Sequence, residues 1–367
     1  MIYFDHNATT QPDERVLDAM LPYLQHLYGN PSSLYRLGRI ARSAIDTARE
    51  QVACLVDAPA SQVLFTSGGT EANAFAMSSF QGCRLWRSAM EHPAITENIS
   101  NCVRKYQAVK ALAVEASGVV SSPEATEALQ HGDCVSLMLA NNETGAIQPL
   151  SSWVESVKAA GGLIHTDAVQ AVGKMPVSFR DLHVDLMSLS SHKIYGPKGC
   201  GALIWGADVV LKPLQRGGDQ EFGLRGGTEN VAAIVGFGKA AELAKLELEQ
   251  RISHTLSLRI RLEQQLKSIP GLVVFAEQVP RLANTLQFGI PEMNGEMLLM
   301  QLDQKNIAVS SGSACATGSE QISPVLEAMG VEAVLAKSAI RVSLGKSNTA
   351  LEVDQFVSVL KTLLAKH

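Results

Sequence analysis

Several polar groups that could share one reaction stand directly after short apolar runs in this chain. The run Val63–Ser67 leads into a glycine pair, Gly68–Gly69, that opens a helical pattern in SGGTEAN. Bare backbone amides at a helix start, with the Thr70 hydroxyl beside them, cradle a phosphate. Asp167 and Gln170 follow Gly162–Thr166, and Ser191–His192–Lys193 follows Asp185–Ser190. His92 lies in EHPA after Arg84–Ser88, and Asn142 lies in NNETG after Val135–Ala140. Each has a plain explanation alone. Glycine pairs make turns, isolated carboxylates cap strands, single histidines are structural, and lysines are mostly solvated. Together, a phosphate cradle, a carboxylate, a lysine, a histidine and amides at successive strand ends are what a pyridoxal-phosphate site needs. A carboxylate keeps the ring nitrogen protonated so that the ring draws electrons, and a lysine holds the aldehyde as a Schiff base.

Other ligands fit less well. The glycine pair matches neither the dinucleotide fingerprint nor a P-loop, and the later Gly345–Lys346–Ser347 has Ile340 where a P-loop needs its first glycine. No His/Cys spacing resembles a metal-ligand motif, so no metal of its own is expected.

One further residue asks for a use. SSGSACATGS sets Cys315 among side chains too small to bury it, and an exposed thiol invites oxidation. The other cysteines, Cys54, Cys83, Cys102, Cys134 and Cys200, sit among apolar or helix-forming neighbours and read as small hydrophobes. They form no CxxC pair and no disulfide framework.

The elements that must hold these residues follow from patterning. Short β-rich runs alternate with helical stretches through the first two thirds, which predicts an α/β domain with a mostly parallel sheet. Open sheets of this kind bind ligands at the carboxyl ends of their strands. From about Gly238 to Ile269 the chain is charged and helix-forming, which predicts one long helix connecting two domains. Thr349 and Glu352 form a capping box for a last helix. A length of 367 residues suits two domains, and 46% apolar residues suffice for a large core. A net charge of -5 gives no basic excess, so no nucleic-acid partner is expected. MIYFDHNATT lacks the pattern of a signal peptide and no apolar run reaches bilayer length, so a cytoplasmic location without membrane contact is expected.

Ten ordered motifs, YFDHNATT, GNPSS, TSGGTEAN, EHPA, NNETG, HTDAVQAVGK, SLSSHKIYGPKGCGAL, LRGGTENV, SSGSACATGS and IRVSLG, resemble those of the cysteine desulfurases over essentially the whole chain. These belong to the class V group of fold-type I pyridoxal-phosphate transferases. The resemblance implies a large domain, 13–248, with a mostly parallel seven-stranded sheet flanked by helices. It also implies a smaller α+β domain from both chain ends, 1–12 and 249–367, carrying the Cys315 loop.

By that resemblance Lys193 carries the cofactor and, once freed, moves protons at the substrate α-carbon. Asp167 pairs with the pyridine nitrogen, and Gln170 and Asn142 bond the ring oxygen, Asn142 also lying near the substrate. His92 stacks on the ring and handles a substrate proton. Gly69, Thr70, Ser190 and His192 hold the phosphate, and Thr228 completes the cradle of the partner subunit in a homodimer. Arg341 grips the substrate carboxylate. Cys315 takes sulfur from L-cysteine as a persulfide, leaves L-alanine, and delivers the sulfur to an acceptor protein such as an iron–sulfur scaffold or a thiolation protein. It could also ligate a nascent iron–sulfur cluster transiently.

Three positions depart from the family pattern: Tyr35 replaces the usual histidine after GNPSS, Gly226 the usual serine or alanine, and His6 an asparagine or tyrosine. The chain ends at His367, soon after its last helix, whereas housekeeping members often carry a longer extension that helps dock the scaffold; the acceptor stays open. Selenocysteine lyase activity, another class V aminotransferase activity, and a sulfur-relay or redox-sensing protein without cofactor chemistry are the alternatives. The mobile-loop cysteine argues against the plain aminotransferase. The presence of Lys193, Asp167 and His92 argues against the non-enzyme.

Overall fold

The computed structural model describes residues 1–101, 103–311 and 322–365. Its strands are β1 (Ile2–Tyr3), β2 (Val63–Thr66), β3 (Arg84–Ser88), β4 (Ala108–Leu112), β5 (Cys134–Ser136), β6 (Leu163–Asp167), β7 (Leu186–Ser190), β8 (Gly201–Trp205), β9 (Val273–Val274), β10 (Thr285–Gly289), β11 (Ile307–Ala308) and β12 (Ile340–Ser343). Seven of them form the central sheet in the order β2-β8-β7-β6-β5-β3-β4. The β7–β6–β5–β3–β4 pairings are parallel, and β8 runs antiparallel to both β7 and β2. Strand β5 is shorter than the run Val135–Ala140 suggests. Its line continues as single bonds, with the Leu137 and Leu139 amides donating to the His165 and Asp167 carbonyls.

Strand residues alternate between two cores, which is why these runs are apolar throughout. Phe65, Trp86, Met187 and Ile204 enter the core on one face, while Leu64, Leu85, Leu186 and Leu203 enter the core on the other. The helix Gly69–Ser79 covers the second face with Ala72, Phe75 and Ala76. A third core draws Phe4 from the N-terminus together with Leu262, Leu286, Phe288, Ile340 and Phe356. It is built on the antiparallel sheet β12-β10-β9 and the parallel pair β1-β11.

The single helix expected from Gly238 to Ile269 is two, Val231–Leu246 and Leu248–Leu266, parted at Glu247. Glu247 takes φ -98° and ψ 5°, outside helical values. Its carboxylate is drawn to Arg15 at 2.6 Å, from a distant helix, and to Arg251 at 2.9 Å. The capping box of the last helix, Ala350–Leu364, forms as expected, with the Thr349 amide donating to Glu352 at 2.8 Å. Among the described residues no helix is long and apolar enough to cross a membrane.

Candidate active site

Parallel strands that start together end together, so the residues after β2, β3, β5, β6 and β7 meet at one edge of the sheet. A cleft of about 620 Å³ opens there. Gly69, Thr70, His92, Asn142, Asp167, Gln170, Ser190, His192, Lys193 and Arg341 all line it. Thr228 does not; it is exposed, beyond the 3-10 turn Glu221–Gly223. Cys315 lies outside the described residues.

The floor is made by Asp167, which ends β6 and is 7% exposed. Oδ1 accepts the Val169 amide at 2.9 Å, and Oδ2 accepts Asn73 Nδ2 at 2.6 Å. His92 opens the helix Pro93–Asn101 by accepting the Ala94 amide on Nδ1 at 3.0 Å, so its neutral ring carries hydrogen on Nε2. Burial holds the His92 pKa below the ordinary imidazole range, with Asp167 opposing and Lys193 adding to the shift. Beside His92, Glu91 is fully enclosed, and burial lifts its pKa well above the carboxylate range.

Lys193 ends a 3-10 turn, Ser191–Lys193, directly after β7. Its ammonium donates to the main-chain oxygens of Asn7 at 2.5 Å and Ala8 at 2.7 Å. Neighbouring His192 is tied to the same N-terminal segment: Nδ1 faces Thr9 Oγ1 at 3.1 Å, and its carbonyl accepts the Thr10 hydroxyl at 2.8 Å. Burial, then Lys193, Lys198 and Lys174, bring the His192 pKa down to about 4.

At the start of the helix Gly69–Ser79 the first intrahelical bond is made by the Ala72 amide to the Gly68 carbonyl. The amides before it face a hollow of about 390 Å³ shared with Ser190 and His192. A Cβ on Gly69 would stand 3.0 Å from Val169 Cγ2 and 3.4 Å from Ser190 Cβ, so any larger residue would crowd this cradle. Such a cradle can hold a phosphate.

The far wall comes from the smaller sheets. Arg341, on β12 and 2% exposed, donates Nη2 to Asp5 at 2.8 Å and Nη1 to the Asn142 carbonyl at 3.0 Å. Its buried Nε has no hydrogen-bond partner, which leaves a donor for an incoming carboxylate. Ser310 pairs with Arg341 through both main-chain bonds, at 3.2 and 2.7 Å. Ser323 donates to the Glu143 carboxylate at 2.6 Å. The chain on either side of residues 312–321 is thereby anchored at this wall. Burial carries the Glu143 pKa up to about 7, against the pull of Ser323, Arg341 and Gln287.

Three contributors, Asn73, Asp5 and Asn7, have no role in the sequence reading. Asn73 sits four residues after Gly69, on the same helix face, and that spacing is a usable sign. Asp5 and Asn7 reach the site only by long-range pairing.

The Aminotransferase class-V family model matches residues 2–356. The chain is 41% identical to "Cysteine desulfurase 2" of Trichormus variabilis over 374 residues, covering 100% of this chain and 94% of that protein. Among solved structures, "NIFS-LIKE PROTEIN" superposes with a TM-score of 0.93 at 36% identity, covering 100% of both chains. "SspA in complex with cysteine" superposes at 0.82 with 29% identity, covering 95% of this chain and 100% of that one.

Proposed function

The chain belongs to the class V aminotransferases and, among them, to the cysteine desulfurases, and we propose that its cleft binds pyridoxal 5'-phosphate and L-cysteine and yields L-alanine and a Cys315 persulfide. What supports this is the convergence of ten expected residues on one cleft, with a buried Arg341 Nε still lacking an acceptor. The residues present fit the cofactor. Gly69, Thr70, Ser190 and His192 would hold its phosphate, Asp167 its ring nitrogen, and Lys193 its aldehyde; Gln170 and Asn142 would face the ring oxygen, and His92 would stack on the ring. When bound, pyridoxal phosphate supplies an electron sink for charge released at the substrate α-carbon.

In this division of labour, Asn73 fixes the orientation of the Asp167 carboxyl group by its hydrogen bond. Arg341 orients the substrate through its carboxylate. Lys193, released from its resting bonds to Asn7 and Ala8, moves a proton at the α-carbon. His92 presents its Nε2 hydrogen toward the cleft and handles a proton of the substrate thiol. The Cys315 thiolate forms a new sulfur–sulfur bond as the substrate's carbon–sulfur bond breaks, and the carbon takes up a proton to leave as L-alanine. The acceptor would be an iron–sulfur scaffold or a thiolation protein.

We take 13–248 as the cofactor-binding body and 1–12 with 249–367 as the smaller unit. Thr228, exposed and away from its own cleft, would complete the cradle of a second copy. Leu21 and Leu24 on the helix Glu14–Gln25, and Tyr28 and Leu34 in the segment after it, are exposed apolar side chains, which suits such a partner.

The test is to load the purified protein with pyridoxal phosphate, add L-cysteine, and quantify alanine with and without a thiol reductant. Wild type should form alanine, and Cys315→Ala should keep the cofactor but lose sulfur transfer. A cofactor-loaded wild type that makes no alanine would overturn the proposal, and selenocysteine and amino transfer to a keto acid would be tried next.

A further inference from the structure

The motif His165–Lys174 ends in a lysine to which the chemistry above gives no task. Lys174 Nζ donates to Gln170 Oε1 at 2.5 Å and to Asn7 Oδ1 at 2.8 Å. An ammonium only donates, so both amides must turn their oxygens toward it. Gln170 Nε2 is left to donate to the Asn7 main-chain oxygen at 3.0 Å. Asn7 Nδ2 is left to donate to Thr285 Oγ1 at 2.9 Å and to the Asn142 carbonyl at 3.2 Å. The same two main-chain oxygens serve the site directly. That of Asn7 accepts Lys193 at 2.5 Å, and that of Asn142 accepts Arg341 at 3.0 Å. Lys174 and Lys193 also face one cavity of about 30 Å³, room for roughly one or two waters.

We propose that Lys174 is a positioning residue for Lys193 and Gln170: its ammonium sets which way the Gln170 and Asn7 amides face, and its charge opposes a second positive charge on the Lys193 nitrogen. This rests on the role given to Lys193 above. A lysine beside another cation gives up its proton more readily and serves better as a base. Burial, and then the charges of Lys193 and Arg341, hold the Lys174 pKa well below the ordinary lysine range, while its two acceptors, Gln170 Oε1 and Asn7 Oδ1, favour the charged form.

Most of the groups facing the pair are neutral or matched by an opposite charge. His6 and His192 have pKa values brought to about 4, chiefly by burial, and are neutral at working pH. On the cavity wall Lys346 is matched by Asp13, and Arg251 by Glu247. Arg341 is matched by Asp5. Tyr195 completes the wall as a half-buried residue whose phenol pKa is raised by desolvation. On the cleft side stand His92 and Asp167, the latter held by Asn73.

The test uses the full-length chain as wild type, Lys174→Met, Lys174→Gln and Lys174→Arg. The pH dependence of Lys193 acylation by trace acetic anhydride, read by mass spectrometry without cofactor, reports the proton affinity of Lys193 itself. Removing the charge should raise the midpoint by about one pH unit, slowing labelling about tenfold at a fixed pH below it, while Lys174→Arg stays near wild type. With pyridoxal phosphate bound, the pH midpoint of the cofactor absorbance should move the same way, and kcat should fall more than KM rises. Equal Lys193 midpoints in wild type and Lys174→Met would overturn the proposal. Should the charge-removing variants fail to fold, wild type decides: Lys193 should titrate at least about one unit below exposed Lys305, and titration alongside Lys305 would overturn it. A wild type that takes up no pyridoxal phosphate would sink the function proposed above, and the acylation result would still decide this inference.

Discussion

Asn73 Nδ2 lies 2.6 Å from Asp167 Oδ2, joining the helix that opens the phosphate cradle to the strand end that forms the floor of the cleft. A hydrogen bond to a charged group contributes about 1.5–3 kcal/mol. Asn73→Ala is expected to keep its fold, bind pyridoxal phosphate more weakly, and lose about 10- to 100-fold in alanine formation. Cofactor titration followed by absorbance, with alanine quantified at saturating cofactor, checks this; unchanged values for both would remove Asn73 from the site.

Arg341 already gives one hydrogen each of Nη1 and Nη2 to Asn142 and Asp5, and its buried Nε has no partner, so donors remain for a carboxylate. A lysine at this position cannot keep two partners and reach a third in one plane. Arg341→Lys should raise the KM for L-cysteine by about 10- to 100-fold while cofactor uptake stays normal. Steady-state kinetics over a wide cysteine range separate KM from kcat, and an unaltered KM would show that the substrate carboxylate binds elsewhere.

Glu143 brings a pH dependence of stability. Burial carries its pKa from an ordinary 4.5 up to about 7, so between those values the folded chain keeps a proton that the unfolded chain has lost. The stability it contributes is fully present below about pH 4.5 and is lost as the pH rises through about 7. Glu143→Gln stays neutral throughout and can still accept from Ser323. Its advantage over wild type should grow by about 2–3 kcal/mol between about pH 5 and 8. Denaturant unfolding at several pH values measures it, and a pH-independent difference would contradict the assignment.

Arg49 and Glu221 form a buried pair at 2.6 Å, with the guanidinium stacked 4.8 Å from the Phe65 ring centre and 5.0 Å from that of Phe222. Glu221 and Phe222 hold positive φ, 43° and 62°, a strained turn that the pair and the stacking keep in place. Arg49→Met leaves Glu221 buried without its cation and should destabilise the chain by about 3–5 kcal/mol. Because this turn leads into LRGGTENV, a milder change, Phe222→Ala, should weaken the self-association proposed above before it unfolds the chain. Analytical ultracentrifugation against thermal unfolding distinguishes the two effects.

The apolar runs, the glycine pair, and the polar residues after each strand were legible because they obey local rules. A strand buried on both faces must be apolar throughout, and a helix start that holds an anion must have bare amides. The capping box Thr349–Glu352 was legible for the same reason, since its partners are three residues apart. Tertiary structure decided what depends on partners far along the chain. The reversed direction of β8 follows from the return path of Ser191–Cys200, and strand patterning is the same in either direction. The helix break at Glu247 answers to Arg15, 232 positions away. Asp5 reaches Arg341 across 336 positions, and Asn7 reaches Lys174 across 167. Periodicity reports which face of an element is buried and says nothing about which buried side chains will meet, because that is set by sheet order and register.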